Sequence, residues 1–244
     1  MGGVRDEVNK ECLEGLKAQT TDFAVGVDSD KALGLMELKR DPLYRRIPEE
    51  RLSEYVERSL EFGRSAAAEK QGRSIREWLE QDGIAVETVG SSGSLFGTVL
   101  RAQIDWTGKV PKITVYRESM NQLAEASAAW PQAFGKLSAE AAEDIHLAHE
   151  YYHWLEYRSG LFTGERLAPV ETFRWGPLRR KVSIRQSGEI AAHAFAQSLL
   201  ELRHLPNLLD YLYLLHKGEL DQSAFEKEME KCREALGAGR RHMV

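Results

Sequence analysis

His149-Glu150-Tyr151-Tyr152-His153 decides the reading of this chain. Side chains four apart on an α-helix stand one above the other on a single face. Two imidazoles so placed can both reach one Zn²⁺, at about 2.0–2.1 Å each. Glu150 projects about 100° round the helix from His149. Its carboxylate therefore reaches a water held by the metal more readily than the metal itself. The metal would lower the pKa of that water towards ~7, and Glu150 could then take its proton as general base.

The neighbours support a helix with two used faces. On a helical projection Ile145, Tyr152, His153 and Glu156 fall within ~60° of His149. Leu147, Tyr151, Trp154 and Leu155 gather on the opposite side. The spacing predicts a helix from Ser138 to Tyr157, packed on its back with the histidines turned towards a cleft. Ser159-Gly160 marks its end.

Composition sets the outer limits. The 244 residues, 42% apolar and 29% charged, suit one globular domain or one domain with appended helices. No apolar run approaches the ~18–20 residues needed to cross a bilayer, so no membrane partner is expected. Met1-Gly2-Gly3-Val4-Arg5-Asp6-Glu7 lacks the apolar stretch of a signal peptide. Cys12 and Cys232 lie near opposite ends, and neither belongs to a C-x-x-C pair. A cysteine zinc site and a disulfide framework are therefore not expected, and a reducing cytoplasm is the simplest home. The formal charge of −5 argues against nucleic-acid binding as the main activity.

Three segments follow from the patterning: a helical extension over 1–82, a core over 83–204, and C-terminal helices over 205–244. Turn or cap signals stand at Thr20-Thr21-Asp22, Asp28-Ser29-Asp30 and Asp41-Pro42. Between Pro48 and Gln81 the pattern predicts two helices or one long bent one, with Gly63 and Gly72 as possible breaks. Short β-branched or alternating runs at 84–89, 100–106 and 112–116 predict a small, mainly antiparallel sheet. The Gly90–Gly97 stretch lacks the Lys-Ser/Thr ending of a P-loop and reads as a strand-to-strand loop. Helices are expected over 118–130, from Glu189 to Arg203, and twice more before the end. Leu161 to Arg185 reads as irregular.

A catalytic zinc site commonly has three protein ligands and one open position. The best third candidate is Glu189, which opens the helix Glu189-Ile-Ala-Ala-His-Ala-Phe-Ala-Gln-Ser-Leu-Leu200. Alanines at 191, 192, 194 and 196 would let that helix approach a neighbour closely. The pairing of H-E-x-x-H with a downstream E-x-x-A-x-x-F-A-x-x-L-L helix resembles the ImmA/IrrE family of zinc metallopeptidases. The likeness covers roughly 83–204, with Tyr152 and His193 where that family often has a small residue and an Asn. It implies an α+β, zincin-like core with a small sheet before the active helix, and a downstream Glu completing the metal site.

The reading that follows is a zinc-dependent peptidase. His149, His153 and Glu189 hold Zn²⁺, Glu150 activates water, and the partner is a peptide or protein substrate, aligned along an edge strand. The alternative is a zinc-binding regulatory or interaction module that no longer hydrolyses peptides. His193, one turn beyond Glu189, could be a ligand, could support one, or could act as an oxyanion donor beside Tyr157 and the arginines. His146 could orient Glu150 or merely pack its helix. Glu156, Glu165 and Glu171 are rival third ligands, although Glu156 follows His153 too closely to approach from another direction. Phe173, Arg174, Trp175, Arg179, Arg180 and Lys181 suit an acidic partner or nucleic acid, or a solvated loop over the cleft.

Overall fold

The computed structural model describes residues 29–95, 98–176 and 178–240. Thr20-Thr21-Asp22, Asp28 and Cys12 lie outside them. The chain opens with α1 (Ser29–Leu38), α2 (Leu52–Ala68) and α3 (Ile75–Gln81). The region from Pro48 to Gln81 is thus two helices, and Gly63 lies inside α2 without breaking it. Ser74 fixes the start of α3. Its hydroxyl accepts the Glu77 N–H at 3.3 Å, and Glu77 Oε2 accepts the Ser74 N–H at 2.7 Å. This reciprocal pair satisfies two amides that the first helical turn leaves open.

Five short strands follow: β1 (Ala85–Val89), β2 (Ser94–Leu95), β3 (Thr98–Val99), β4 (Ala102–Asp105) and β5 (Lys112–Tyr116). Strand β5 is central, with β1 on one side and β4 on the other. Strand β4 runs antiparallel to it, Ile104 opposite Ile113, while β1 runs parallel, Ala85 opposite Lys112. The sheet is therefore mixed, because the excursion from β1 through the β2–β3 hairpin returns the chain to the far side of β5. Ile113 and Val115 alternate into the core, and β4 forms an edge of this sheet.

Next come α4 (Arg117–Ala129), the short α5 (Pro131–Phe134) and α6 (Ala139–Ser159). Helix α6 carries the H-E-x-x-H stretch. The Ser138 hydroxyl accepts the Ala141 N–H at 3.0 Å at its start. Gly160 closes it in the left-handed conformation, φ 67°, which costs a residue without Cβ little. The segment expected to be irregular instead holds a ribbon, β6 (Val170–Trp175) antiparallel to β7 (Leu178–Val182). A bulge between Glu171 and Phe173 breaks its alternation, and exposed side chains on both faces hide the strand pattern. The chain ends with α7 (Gln186–Leu199), α8 (Leu208–His216) and α9 (Gln222–Arg240).

Two apolar clusters hold these elements. One joins Leu35 of α1, Val56 and Leu60 of α2, Ile190 and Ala194 of α7, Leu208 of α8 and Phe225 of α9. The other joins Leu79, Ile113, Val115, Leu123, Leu147 and Tyr151 to Ala191 and Phe195 of α7. Helix α7 enters both, so Glu189 stands on an element gripped from two sides. Helix α2 comes close to α7 at Gly63, where a Cβ would stand 2.0 Å from the Ala191 carbonyl oxygen. Among the described residues the fold is α+β, with small sheets in which three of four strand pairings are antiparallel.

Candidate metal centre

His149 and His153 lie one turn apart on α6, and Glu189 meets them from the first turn of α7. His149 Nε2 is 3.2 Å from Glu189 Oε2 and 3.3 Å from His153 Nε2. His153 Nε2 is 3.5 Å from the other carboxylate oxygen, Oε1. One donor atom from each of the three residues lies within 4.8 Å of the others, so this group could hold a metal ion. The start of α7 is itself anchored. The Gln186 N–H donates to Asp41 Oδ2 at 3.1 Å, and Gln186 Nε2 donates to Glu37 Oε1 at 2.7 Å.

Glu156, set aside as a third ligand for following His153 too closely, takes a supporting place that the sequence reading does not assign it. It is buried and does not join the donor group. Its Oε2 lies 3.2 Å from His153 Nδ1, and its Oε1 accepts the Thr163 N–H at 2.6 Å. It thus holds the far nitrogen of a candidate ligand and turns His153 Nε2 towards Glu189. The signal was present in the sequence as a Glu three residues after His153, on the same helical face. Glu165 is exposed, and Glu171 belongs to the ribbon, 3.8 Å from Arg179; neither joins the donor group.

Glu150 points to the sheet. Its Oε2 accepts the main-chain N–H of Ile104 on β4 at 3.0 Å. Between α6 and β4 lies a cavity of about 380 Å³, lined by Ala102, Gln103, Ile104 and Trp106 on one wall. His149, Glu150, His153 and Glu189 line the other. Trp106 stacks on Tyr157 with ring centroids 4.7 Å apart, which makes an aromatic rim one turn beyond His153. A larger cavity of about 840 Å³ on another flank of α6 touches Glu156 and Tyr152, but none of the three convergent donors.

His193 and His146 lie near the group without joining it. The His193 ring centre is 4.5 Å from that of His149, and His193 Nδ1 is buried without a hydrogen-bond partner. Burial and the adjacent His149 push its pKa well below the ordinary range, so it stays neutral. His146 does not touch Glu150. Its Nδ1 lies 2.8 Å from the Ala142 carbonyl of its own helix, and burial takes its pKa down to about 4.

Electrostatics favour a cation between these side chains. Burial opposes charge on His153, yet hydrogen bonds to Glu156 and Glu189 raise its pKa to about 10. Burial likewise opposes charge on Glu189, but His149 and His153 hold it well below the usual carboxylate range. Without a metal the cluster therefore binds a proton tightly, and an ionised carboxylate faces two imidazoles. Two imidazole nitrogens and a carboxylate oxygen, with one nitrogen fixed from behind, form a donor set suited to a divalent transition metal.

Among the described residues, no helix is long and apolar enough to cross a membrane. No family model, no curated protein and no solved structure matches this chain.

Proposed function

We propose that this chain is a zinc-dependent peptidase with a zincin-like core over 83–204, flanked among the described residues by helical segments over 29–82 and 205–240. The observation that carries the reading is the convergence of His149, His153 and Glu189 beside a cleft that Glu150 also lines. The set fits the arrangement expected from the resemblance to the ImmA/IrrE family. Zinc bound there would polarise a peptide carbonyl and acidify water. Glu150 stands outside the donor group, so its carboxylate is available to take a proton from water and return it to the leaving amine. Glu156 holds His153 at Nδ1, and the β4 edge offers main-chain groups to an extended peptide. A reducing cytoplasm is the proposed compartment, in keeping with the buried free thiol of Cys232.

A second reading has its own observation. Glu150 is engaged by the Ile104 amide, and a metal-binding regulatory module would leave it so. Metal analysis combined with cleavage of an unbiased peptide library separates the two. About one zinc per chain and Glu150-dependent cleavage support the peptidase. Bound zinc with no cleavage of any peptide favours the module.

A further inference from the structure

The ribbon β6–β7 lies in sequence between the two helices that carry the donor group, and its side chains separate by face. Cross-strand partners Trp175 and Leu178 share one face with Phe173 and Arg180, as the register requires. Arg174 opposes Arg179 on the other face, which also takes Lys181 and Glu171. The apolar face is uncovered: Trp175 is 73% exposed, Leu178 62% and Phe173 54%. The cationic face is nearly uncompensated. Arg179 lies 3.8 Å from Glu171, while Arg174 and Lys181 on that face, and Arg180 on the other, enter no ion pair among the described residues. Like charges directly opposite one another weaken a strand pair unless an anion joins them. The ribbon is thus locally basic in a chain whose formal charge is −5.

The ribbon also has free edges among the described residues, where β6 and β7 pair only with each other. Strand β6 lies against the turn at Tyr44–Arg46, and β7 forms the other margin of the ribbon. We infer that the outer edge of β7 is a docking strand for an extended segment of a protein substrate in which acidic and apolar residues alternate. Calling the occupant a substrate rests on the peptidase reading; the docking itself does not. Added as a third strand, such a segment would pair its main chain with the amides and carbonyls of Leu178–Val182. Alternate side chains would then fall on opposite faces. Carboxylates two residues apart would meet Arg179 and Lys181, which are spaced by about 6.6 Å along the strand. The intervening apolar residues would extend the face made by Trp175 and Leu178. Three arginines beside a tryptophan and a phenylalanine match the composition of energetic centres at protein interfaces. Phosphates of a single-stranded nucleic acid would meet the cations but leave the strand edge unused. An anionic bilayer would engage the apolar tip without requiring alternation.

The test uses the intact chain carrying Glu150→Gln, so that cleavage does not consume the probe. Fluorescence anisotropy follows a labelled peptide alternating glutamate with valine, against a peptide of the same composition with its glutamates in one block. The alternating peptide should bind at least tenfold tighter, and N-methylation of alternate amides should abolish that preference. Arg179→Glu with Lys181→Glu should weaken binding at least tenfold. Arg179→Lys with Lys181→Arg, which keeps the charge, should retain it and guards against a folding failure. Equal binding of the block peptide, no binding of either peptide, or indifference to charge reversal would overturn the proposal. Ribbon-dependent binding of single-stranded DNA or of phosphatidylserine vesicles in place of the peptide would do the same. Zinc content is read on the same samples. Missing zinc with intact peptide binding rejects the peptidase and leaves the docking strand; full zinc without ribbon-dependent binding does the reverse.

Discussion

The main-chain N–H of Ile104 and the carboxylate of Glu150 are joined by a 3.0 Å hydrogen bond that ties helix α6 to the open edge of β4. The group proposed as base and the edge proposed to align a peptide are therefore in contact. A peptide adding to β4 through Ile104 would take that N–H from Glu150 and free the carboxylate for water. Glu150 makes no contribution to the donor group.

Glu150→Gln should accordingly bind zinc within about twofold of the parent and lose peptide cleavage by at least about a thousandfold, the scale of a lost proton-transfer group. An amide keeps the shape and can still accept from Ile104, so the fold should be unchanged. Zinc titration beside a cleavage assay checks both. A variant that cleaves like the parent would remove Glu150 from the mechanism.

Glu189 and Glu156 should separate by degree. Glu189→Ala removes one of three donors and should cost at least roughly a hundredfold in zinc affinity. Glu156→Gln leaves the donors in place but weakens the hold on His153, and should cost roughly tenfold, as supporting carboxylates do. Glu165→Ala and Glu171→Ala should titrate like the parent. Competition with a chelator ranks the four variants. A Glu156 variant losing more than the Glu189 variant would exchange their roles.

Zinc binding should depend steeply on pH. In the metal-free protein the pKa of His153 is raised to about 10, so at neutral pH its ring carries a proton that zinc must displace. A raised pKa means the proton is held throughout the range below it. Apparent zinc affinity should therefore rise about tenfold for each pH unit between pH 6.5 and 8.5 and flatten as pH passes about 10. Calorimetry in buffers of different ionisation enthalpy should find about one proton released per zinc. An affinity flat from pH 6.5 to 8.5 would mean that His153 is already neutral.

The donor group was legible because helical periodicity alone brings His149 and His153 to one face. Glu189 needed a second pattern, the alanine-rich helix that now proves to be gripped by both core clusters. Glu156 is rightly set aside as a donor from its closeness to His153, but its supporting role is not evident, because a residue one turn beyond a ligand suits that ligand's other nitrogen only when the rotamers of both are known. The strands near 84–116 were legible from β-branched alternation, yet the parallel β1–β5 pairing was not, because strand order depends on contacts far apart in sequence. The β6–β7 ribbon escaped notice because it buries almost nothing, and burial is what makes a strand alternate. Glu150's bond to Ile104 joins side chain to main chain across distant residues, and no side-chain pattern encodes it.

The most stringent test of the packing that positions Glu189 lies at Gly63. A Cβ there would stand 2.0 Å from the Ala191 oxygen and 2.8 Å from the Phe195 nitrogen, both backbone atoms of α7. Backbone cannot rotate aside as a side chain can, so α2 and α7 would have to separate. Gly63→Ala should destabilise the fold by about 2–3 kcal/mol, in the range of overpacked cores. For a chain of this size that lowers the midpoint of thermal unfolding by roughly 4–12 °C. Because Ala191 lies half a turn from Glu189, the shift should also weaken zinc binding in the molecules that remain folded. Gly237→Ala supplies the contrast: its Cβ would meet nothing within 4 Å, in the last turn of α9. That change should leave stability unchanged or raise it by up to about 0.5 kcal/mol through the helical preference of alanine. Equal unfolding midpoints for the two variants would mean that α2 and α7 do not meet at Gly63, and the anchoring of Glu189 argued from that contact would fall with it.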